Sequence, residues 1–173
     1  MTKTNWIVNK EIDIRNFDSI INNTLIEEVD VLNRSTRGFS AKQYDLYNHK
    51  DKFKVVIDDI KRELRKINNS VNYNLVSAWT VIGEENSYHL VHRHNEANVN
   101  HISTITYLKV PKSNTHQTGN FYYFLNENDN VSYGSVAPKK GTFIVMPVNL
   151  LHGSYPQAKG IRQTLNMDFE IVK

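Results

Sequence analysis

The chain contains no cysteine among its 173 residues. This absence excludes disulfides, thiolate zinc sites, iron–sulfur clusters and a cysteine nucleophile. Any metal site must therefore be built from nitrogen and oxygen ligands, which come from histidine, aspartate and glutamate side chains. Seven histidines and 18 acidic residues are available for that purpose.

Long hydrophobic runs are also missing. The sequence has no apolar stretch of the roughly 18 residues or more that a membrane-spanning helix needs. Residues 1–17 carry charges throughout and lack the apolar segment of about 7–15 residues found in signal peptides. We therefore expect a cytoplasmic protein with no membrane partner.

Neither sign of charge dominates, since 21 basic residues stand against 18 acidic ones. The basic runs "KDKFK" and "KRELRK" are mixed with acids, a pattern typical of solvated helix faces. We therefore expect no nucleic-acid partner. The sequence does not indicate an oligomeric state.

The pattern of apolar residues changes near residue 70. Before it, apolar residues recur at helical spacing between residues 17 and 31 and, more strongly, between residues 53 and 67. After it, runs rich in aromatic and β-branched residues predict strands at 73–82, 101–110, 119–125, 141–147 and 162–172. Helices followed by strands predict an α+β fold, a jelly roll with the N-terminal helices packed on one sheet. No linker interrupts the chain, so we expect one domain, 1–173, with helical support at 1–70 and a jelly-roll core at 71–173.

Histidines are concentrated in "SYHLVHRHNEANVNH", residues 87–101, which holds four of the seven. In an extended segment, alternate residues share one face, so His92, His94 and Glu96 are expected to point the same way. Histidine is the commonest metal ligand, and this density predicts a metal or proton-handling site. A site open on one side needs one more ligand, and His152, at the end of another strand, is the candidate.

Arg162 follows His152 by ten residues, and Thr164 follows Arg162 by two. If the two strands run antiparallel through a short turn, Arg162 lies beside His152. Surface pairing of Arg162 with Asp168 or Glu170 is the alternative. The first arrangement has a chemical purpose, because an α-keto acid can chelate a redox metal that keeps open positions. Its far carboxylate then needs a cation, which the bidentate guanidinium of Arg162 supplies, with the Thr164 hydroxyl beside it.

These motifs resemble those of the Fe(II)/2-oxoglutarate-dependent dioxygenases, especially the prolyl-hydroxylase-like branch and related small 2OG-Fe(II) oxygenases. The resemblance runs from Trp79 to Phe169. It is carried by "HRH", "STITYL", "GNFYYF", "KKGTFIVMP" and the H-x9-R-Q-T spacing from His152 to Arg162.

The resemblance implies a double-stranded β-helix that holds ferrous iron and uses 2-oxoglutarate and O2 as co-substrates. It implies a hydroxylase that releases succinate and CO2. His92 and His152 match the proximal and distal metal ligands, Arg162 the carboxylate clamp, and Tyr107 a tyrosine that touches the same co-substrate. Thr164 completes the predicted co-substrate set.

The second ligand departs from the family pattern, which has Asp or Glu where His94 stands. Either His94 is the ligand, in an H-x-H version of the motif, or the frame shifts and His94 pairs with Glu96 as H-x-E. We prefer the metal set His92, His94 and His152 because Tyr107 then keeps the family's spacing from His92. The other histidines are expected at the rim or in loops: His49, His89, His101 and His116.

Two other functions fit part of the pattern. A cupin-type metal-dependent dioxygenase shares the barrel, and "GTFIVMP" followed by His152 resembles its second motif, but this hypothesis leaves Arg162 unexplained. A non-catalytic ligand-binding barrel would make the histidines incidental. The substrate is not readable from the sequence, and both small molecules and protein side chains remain open.

Overall fold

A computed structural model describes residues 6–22, 24–26, 40–94, 100–112, 117–127 and 130–173. In these ranges ten strands form two antiparallel sheets, and two α-helices precede the third strand. The architecture confirms the predicted α+β jelly roll. Neither of these two helices is long and apolar enough to cross a membrane.

The larger sheet has six strands and carries the longest ones. In spatial order its strands are β1 (Val8–Glu11), β8 (Thr142–Pro147), β5 (His101–Lys109), β10 (Arg162–Val172), β3 (Asn72–Gly83) and β2 (Lys42–Asp45). The smaller sheet has four strands, in the order β4 (His89–His92), β9 (Leu151–Ser154), β6 (Phe121–Glu127) and β7 (Asn130–Val136).

The helices cover the outer face of the six-stranded sheet. Helix α1 spans Asp18–Ile21 and helix α2 spans Lys54–Arg65, and short 3₁₀ turns precede both. One stripe of α2 is buried, as its apolar spacing predicts: Val56, Ile57, Ile60 and Leu64. This stripe packs in one cluster with the outer residues of the sheet, among them Leu165, Met167 and Phe169. A second, smaller apolar cluster, containing Ile105, Phe121, Ile144 and Met146, joins residues of the two sheets.

Strand β10 shows how one strand serves both layers. Because successive side chains point to opposite faces, Leu165, Met167 and Phe169 join the helix-side cluster. The intervening residues, Thr164 and Asn166, line a cavity on the opposite face. The period of two therefore places core residues and site residues on the same strand.

The N-terminal part differs from the prediction in two ways. The helical spacing that begins at Phe17 yields only the single turn of α1, because the Thr24 hydroxyl donates a hydrogen bond to the Ser19 carbonyl at 2.9 Å and offers the backbone a turn instead. Residues 27–31 of that predicted helix lie outside the described residues. The region 1–70 also supplies two edge strands, β1 and β2, which the sequence did not reveal. The extent of the single domain, 1–173, stays a prediction.

Candidate metal and co-substrate site

One cavity of about 60 Å³ brings together all six residues predicted as metal or co-substrate ligands. His92, His94 and His152 contribute imidazoles, and Tyr107, Arg162 and Thr164 contribute a phenol, a guanidinium and a hydroxyl. Arg162 is the one arginine, lysine, aspartate or glutamate among the described residues that line this cavity. The functional roles of the six residues stay predictions, but the fold does bring them together in one cavity.

The three histidines come from two strands and the segment between the sheets. His92 in β4 is the register partner of His152 in β9. His94 follows β4, and its backbone N–H donates to the Val148 carbonyl at 2.9 Å. Their ring centroids lie 4.3–5.6 Å apart, and one nitrogen from each ring lies within 4.8 Å of the others. This arrangement could hold a metal ion.

Hydrogen bonds fix the orientation of each ring. His92 Nδ1 lies 2.9 Å from the Leu90 carbonyl, and His152 Nδ1 lies 2.8 Å from the Leu150 carbonyl. A carbonyl only accepts, so Nδ1 carries the proton and donates in both rings. His94 Nδ1 lies 3.2 Å from Asp168 Oδ1. In all three rings Nε2 is then the nitrogen left with a lone pair for a metal.

Burial keeps two of these rings neutral. It lowers the pKa of His92 from 6.5 to about 4, and it lowers the pKa of His152 well below 6.5. The neighbouring His94 lowers both pKa values further. At neutral pH these imidazoles are therefore in the deprotonated form that binds metals.

Arg162 marks the other end of the cavity. Arg162 is the first residue of β10, and only 5% of it is exposed. Its Nη1 atom is buried and has no hydrogen-bond partner among the described residues. Burial lowers the pKa of this guanidinium below its usual value, and Tyr107 opposes that shift. A buried, unpaired cationic nitrogen is costly, so this end of the cavity fits an anionic ligand.

Tyr107 and Thr164 flank the guanidinium as cross-strand partners on β5 and β10. Tyr107 is buried, which raises its pKa from 10.0 to about 12, so its hydroxyl stays protonated and able to donate. Thr164 Oγ1 accepts a hydrogen bond from Asn166 Nδ2 at 3.1 Å. The residues predicted to bind the co-substrate are therefore neighbours on two paired strands.

Two sequence expectations about Arg162 are wrong. His152 and Arg162 do not sit on a shared hairpin, because β9 belongs to the four-stranded sheet and β10 to the six-stranded one, and the two residues meet across the cavity. Surface pairing with Asp168 is also wrong, because Arg162 is buried and Asp168 contacts His94.

Sequence reasoning missed two further contacts around the metal end. His89, expected at the rim, lines the cavity and stacks on His92 with ring centroids 3.7 Å apart. Asp168 contacts His94 from the neighbouring sheet, a long-range pairing that no local pattern signals. Of the remaining histidines, His49 and His101 do not line the cavity. His116 and the alternative ligand Glu96 lie outside the described residues.

Solved structures provide the comparison, since no protein-family model matches the chain and no curated protein matches it significantly in sequence. The viral collagen prolyl hydroxylase of Paramecium bursaria Chlorella virus-1, solved as a 2OG complex, is 16% identical with a TM-score of 0.65, and the match covers 97% of each chain. A 2OG-Fe(II) oxygenase family oxidoreductase from Burkholderia pseudomallei is 13% identical with a TM-score of 0.72, over 95% of this chain and 85% of that one.

HygX from Streptomyces hygroscopicus, solved with nickel and 2-oxoglutarate bound, is 13% identical with a TM-score of 0.71, over 96% of this chain and 83% of that one. At such low identities the likeness shows the fold alone. The chain has the double-stranded β-helix fold of prolyl hydroxylases and other 2OG-Fe(II) oxygenases, in agreement with the resemblance of its motifs.

Proposed function

We propose that this chain is an Fe(II)- and 2-oxoglutarate-dependent dioxygenase that hydroxylates a small molecule or a protein side chain. The observation that supports the proposal most strongly is the pairing of two unlike groups in one cavity. Three histidines with oriented Nε2 atoms lie in the same cavity as Arg162, whose Nη1 is buried and lacks a partner. A metal-chelating dicarboxylate would satisfy both groups at once.

The donor set fits a ferrous ion. His92, His94 and His152 would hold it on one side through Nε2, which leaves positions on the other side for a chelating ligand and O2. When bound, the ion would supply the oxidative decarboxylation of 2-oxoglutarate by O2, which yields succinate and CO2 and places one oxygen atom in a C–H bond of the substrate.

Arg162 would hold the remote carboxylate of 2-oxoglutarate through paired N–H donors, and this pairing would satisfy its buried Nη1. Thr164 and Tyr107 lie on neighbouring strands beside the guanidinium and would add hydroxyl contacts. A cupin-type site needs no such cation, so Arg162 favours the 2-oxoglutarate hypothesis over that alternative.

Apolar side chains form part of the cavity wall. Trp79, Ile105 and Phe121 line the cavity, and Phe121 stacks against His152 with ring centroids 5.5 Å apart. These side chains would exclude water from the ligands and so strengthen the electrostatic interactions with Arg162. They support a role for the cavity in binding one small dicarboxylate.

The decisive test is the dependence on Arg162. We expect iron-dependent formation of succinate from 2-oxoglutarate by the wild type. Arg162→Ala should weaken 2-oxoglutarate binding by about 2–5 kcal/mol at matched iron occupancy, because one partner of a buried charge pair is truncated. Arg162→Lys should recover only part of the affinity, since a point charge cannot reproduce the bidentate fork.

Arg15→Ala is the matched control, because Arg15 is an exposed arginine paired with Asp13 away from the cavity. It should leave the 2-oxoglutarate affinity unchanged. An apparent affinity that stays the same in Arg162→Ala would reject the clamp and, with it, most of the case against a cupin.

A second experiment separates the two hypotheses for the second ligand. With His92, His94 and His152 as the ligands, His94→Ala should lose most of its iron, and Glu96→Ala should retain it. Loss of iron in Glu96→Ala together with retention in His92→Ala would select the shifted H-x-E frame. Iron stoichiometry in the purified variants decides between them.

A further inference from the structure

Asp168 gives His94 an environment unlike that of the other two ligand candidates. The Nδ1 atoms of His92 and His152 face backbone carbonyls, whereas His94 Nδ1 lies 3.2 Å from both Asp168 Oδ1 and Ser103 Oγ. A carboxylate acceptor orients an imidazole and raises its basicity as a metal ligand more than a carbonyl does, because the hydrogen bond is charge-assisted. Among the three rings, His94 alone has this support.

The contact is held by regular structure on both sides. Asp168 lies on β10 and continues the inward-facing row of Thr164 and Asn166. Its register partner on β5 is Ser103, which contacts the same nitrogen. The side chains of Asp168 and His94 are only 14% and 13% exposed. The pair is therefore a largely buried feature of the fold rather than a surface ion pair.

The charges of the loaded site explain why a carboxylate belongs there. A divalent ion and doubly charged 2-oxoglutarate cancel, and histidines bind metals in the neutral form. Counted over the described residues that line the cavity, Arg162 would then leave the site with a net positive charge, which is costly in a largely buried site. The negative charge of Asp168 balances it.

Resting on the function proposed above, we infer that Asp168 is a positioning residue. Asp168 fixes the His94 tautomer in which Nε2 is available to bind the metal. It also supplies, on the Nδ1 side of the ring, a negative charge that the neutral His94 does not carry. The carboxylate thus acts on the metal through an imidazole.

The test is a calorimetric titration of the metal-free protein with Mn(II) in the absence of 2-oxoglutarate. Asp168→Asn keeps the size and an acceptor oxygen but removes the charge, and it should weaken Mn(II) binding by about 10–100-fold, the usual effect of losing such a partner. Glu170→Gln is the matched control, since it removes an acidic charge from the exposed end of the same strand. It should bind Mn(II) like the wild type.

Ser103→Ala tests which of the two neighbours of His94 Nδ1 supports metal binding. It should weaken Mn(II) binding by less than threefold, because the Ser103 hydroxyl carries no charge. An unchanged affinity in Asp168→Asn, or a loss in Ser103→Ala as large as that in Asp168→Asn, would overturn the inference.

A second test uses only wild-type protein, so it does not depend on the folding of any variant. It is nitrogen NMR of the imidazoles in protein loaded with Zn(II). We expect a proton on His94 Nδ1 and the metal on Nε2, and the metal on Nδ1 would overturn the inference. Failure of the wild type to bind any divalent metal would instead reject the proposed function itself, so the two failures are distinguishable.

Discussion

The two sheets contribute to one cavity but are built differently. The six-stranded sheet is covered by helices, and all six residues of β8 and the first six of β10 are buried. In the four-stranded sheet, β4 and β9 have only four residues each, and β7 is mostly exposed. Large apolar side chains on this sheet remain exposed, including Leu90, Val131, Tyr133 and Leu151.

The division of chemistry follows the division of packing. The residues proposed to bind the organic co-substrate, Tyr107, Arg162 and Thr164, lie on the well-packed sheet. Two proposed metal ligands, His92 and His152, lie on the sheet with the weaker packing. We therefore expect metal binding to stabilise the smaller sheet more than the larger one.

The largest expected effect tests the metal end. His152→Ala should abolish iron binding, because His152 is a buried ring central to the three-histidine group. The measurement is iron per chain after reconstitution. His101→Ala is the control, since His101 begins β5 and does not line the cavity, and it should retain full stoichiometry. Full iron content in His152→Ala would remove the centre of the proposed function.

The contrast in packing predicts different costs of truncating a large side chain. Phe169→Ala in the larger sheet should lower the free energy of unfolding by about 3–5 kcal/mol, because a fully buried ring is lost. Val131→Ala in the smaller sheet should cost less than about 0.5 kcal/mol, because Val131 is 66% exposed. Urea denaturation measures both, and similar costs would contradict the comparison.

Metal loading should stabilise the sheets unequally. At a free metal concentration about 100 times the Kd, metal binding raises the free energy of unfolding by about 2.7 kcal/mol. Hydrogen exchange should therefore slow by up to about 100-fold in β4 and β9, which we expect to open most easily because they have only four residues each, and less in β5 and β10. Equal protection of all four strands would show that the smaller sheet is already as stable as the larger one.

The last effect is a pH dependence of the metal-free protein. Burial lowers the pKa of His92 to about 4 and that of His89 to about 3, against 6.5 for an exposed histidine. Below pH 6.5 the unfolded chain takes up protons that the folded chain does not. The free energy of unfolding should therefore fall as the pH drops from 6.5 towards 4, by at most about 1.4 kcal/mol per pH unit for each histidine.

Urea denaturation at pH 7.0 and 5.5 measures this dependence. His92→Asn removes one titrating group and should reduce the difference between the two pH values. No loss of stability at pH 5.5 in the wild type would contradict the buried, neutral state of these rings.

The same contrast explains what the sequence could predict. Strands β5 and β10 of the larger sheet are predictable from the sequence, because they are long runs rich in β-branched and aromatic residues and are buried on both faces. The sequence does not predict strand β7, because its residues NVSYGSV are polar and mostly exposed. Strands β1 and β2 have only four residues each, too few for a clear alternating pattern.

The site divides in a similar way. The H-x-H and H-x9-R-x-T spacings predicted five residues of the site, and the family resemblance predicted a sixth, Tyr107. The fold brings all six to one cavity. The contact of Asp168 with His94 joins residues 74 positions apart and depends on the register of β10 against β5. The stacking of His89 on His92 depends on an irregularity in β4. Neither contact has a signature in the sequence.

Trp79 gives the protein an optical reporter of its own site. Its indole meets the ring of His94 edge to face, with centroids 5.3 Å apart, while Trp6, the other tryptophan, packs against the helix-side cluster. A paramagnetic ion bound by the histidines would lie close to Trp79, which lines the cavity, whereas Trp6 does not line it. The emission of Trp6→Phe protein should therefore follow occupancy of the site directly, without a label.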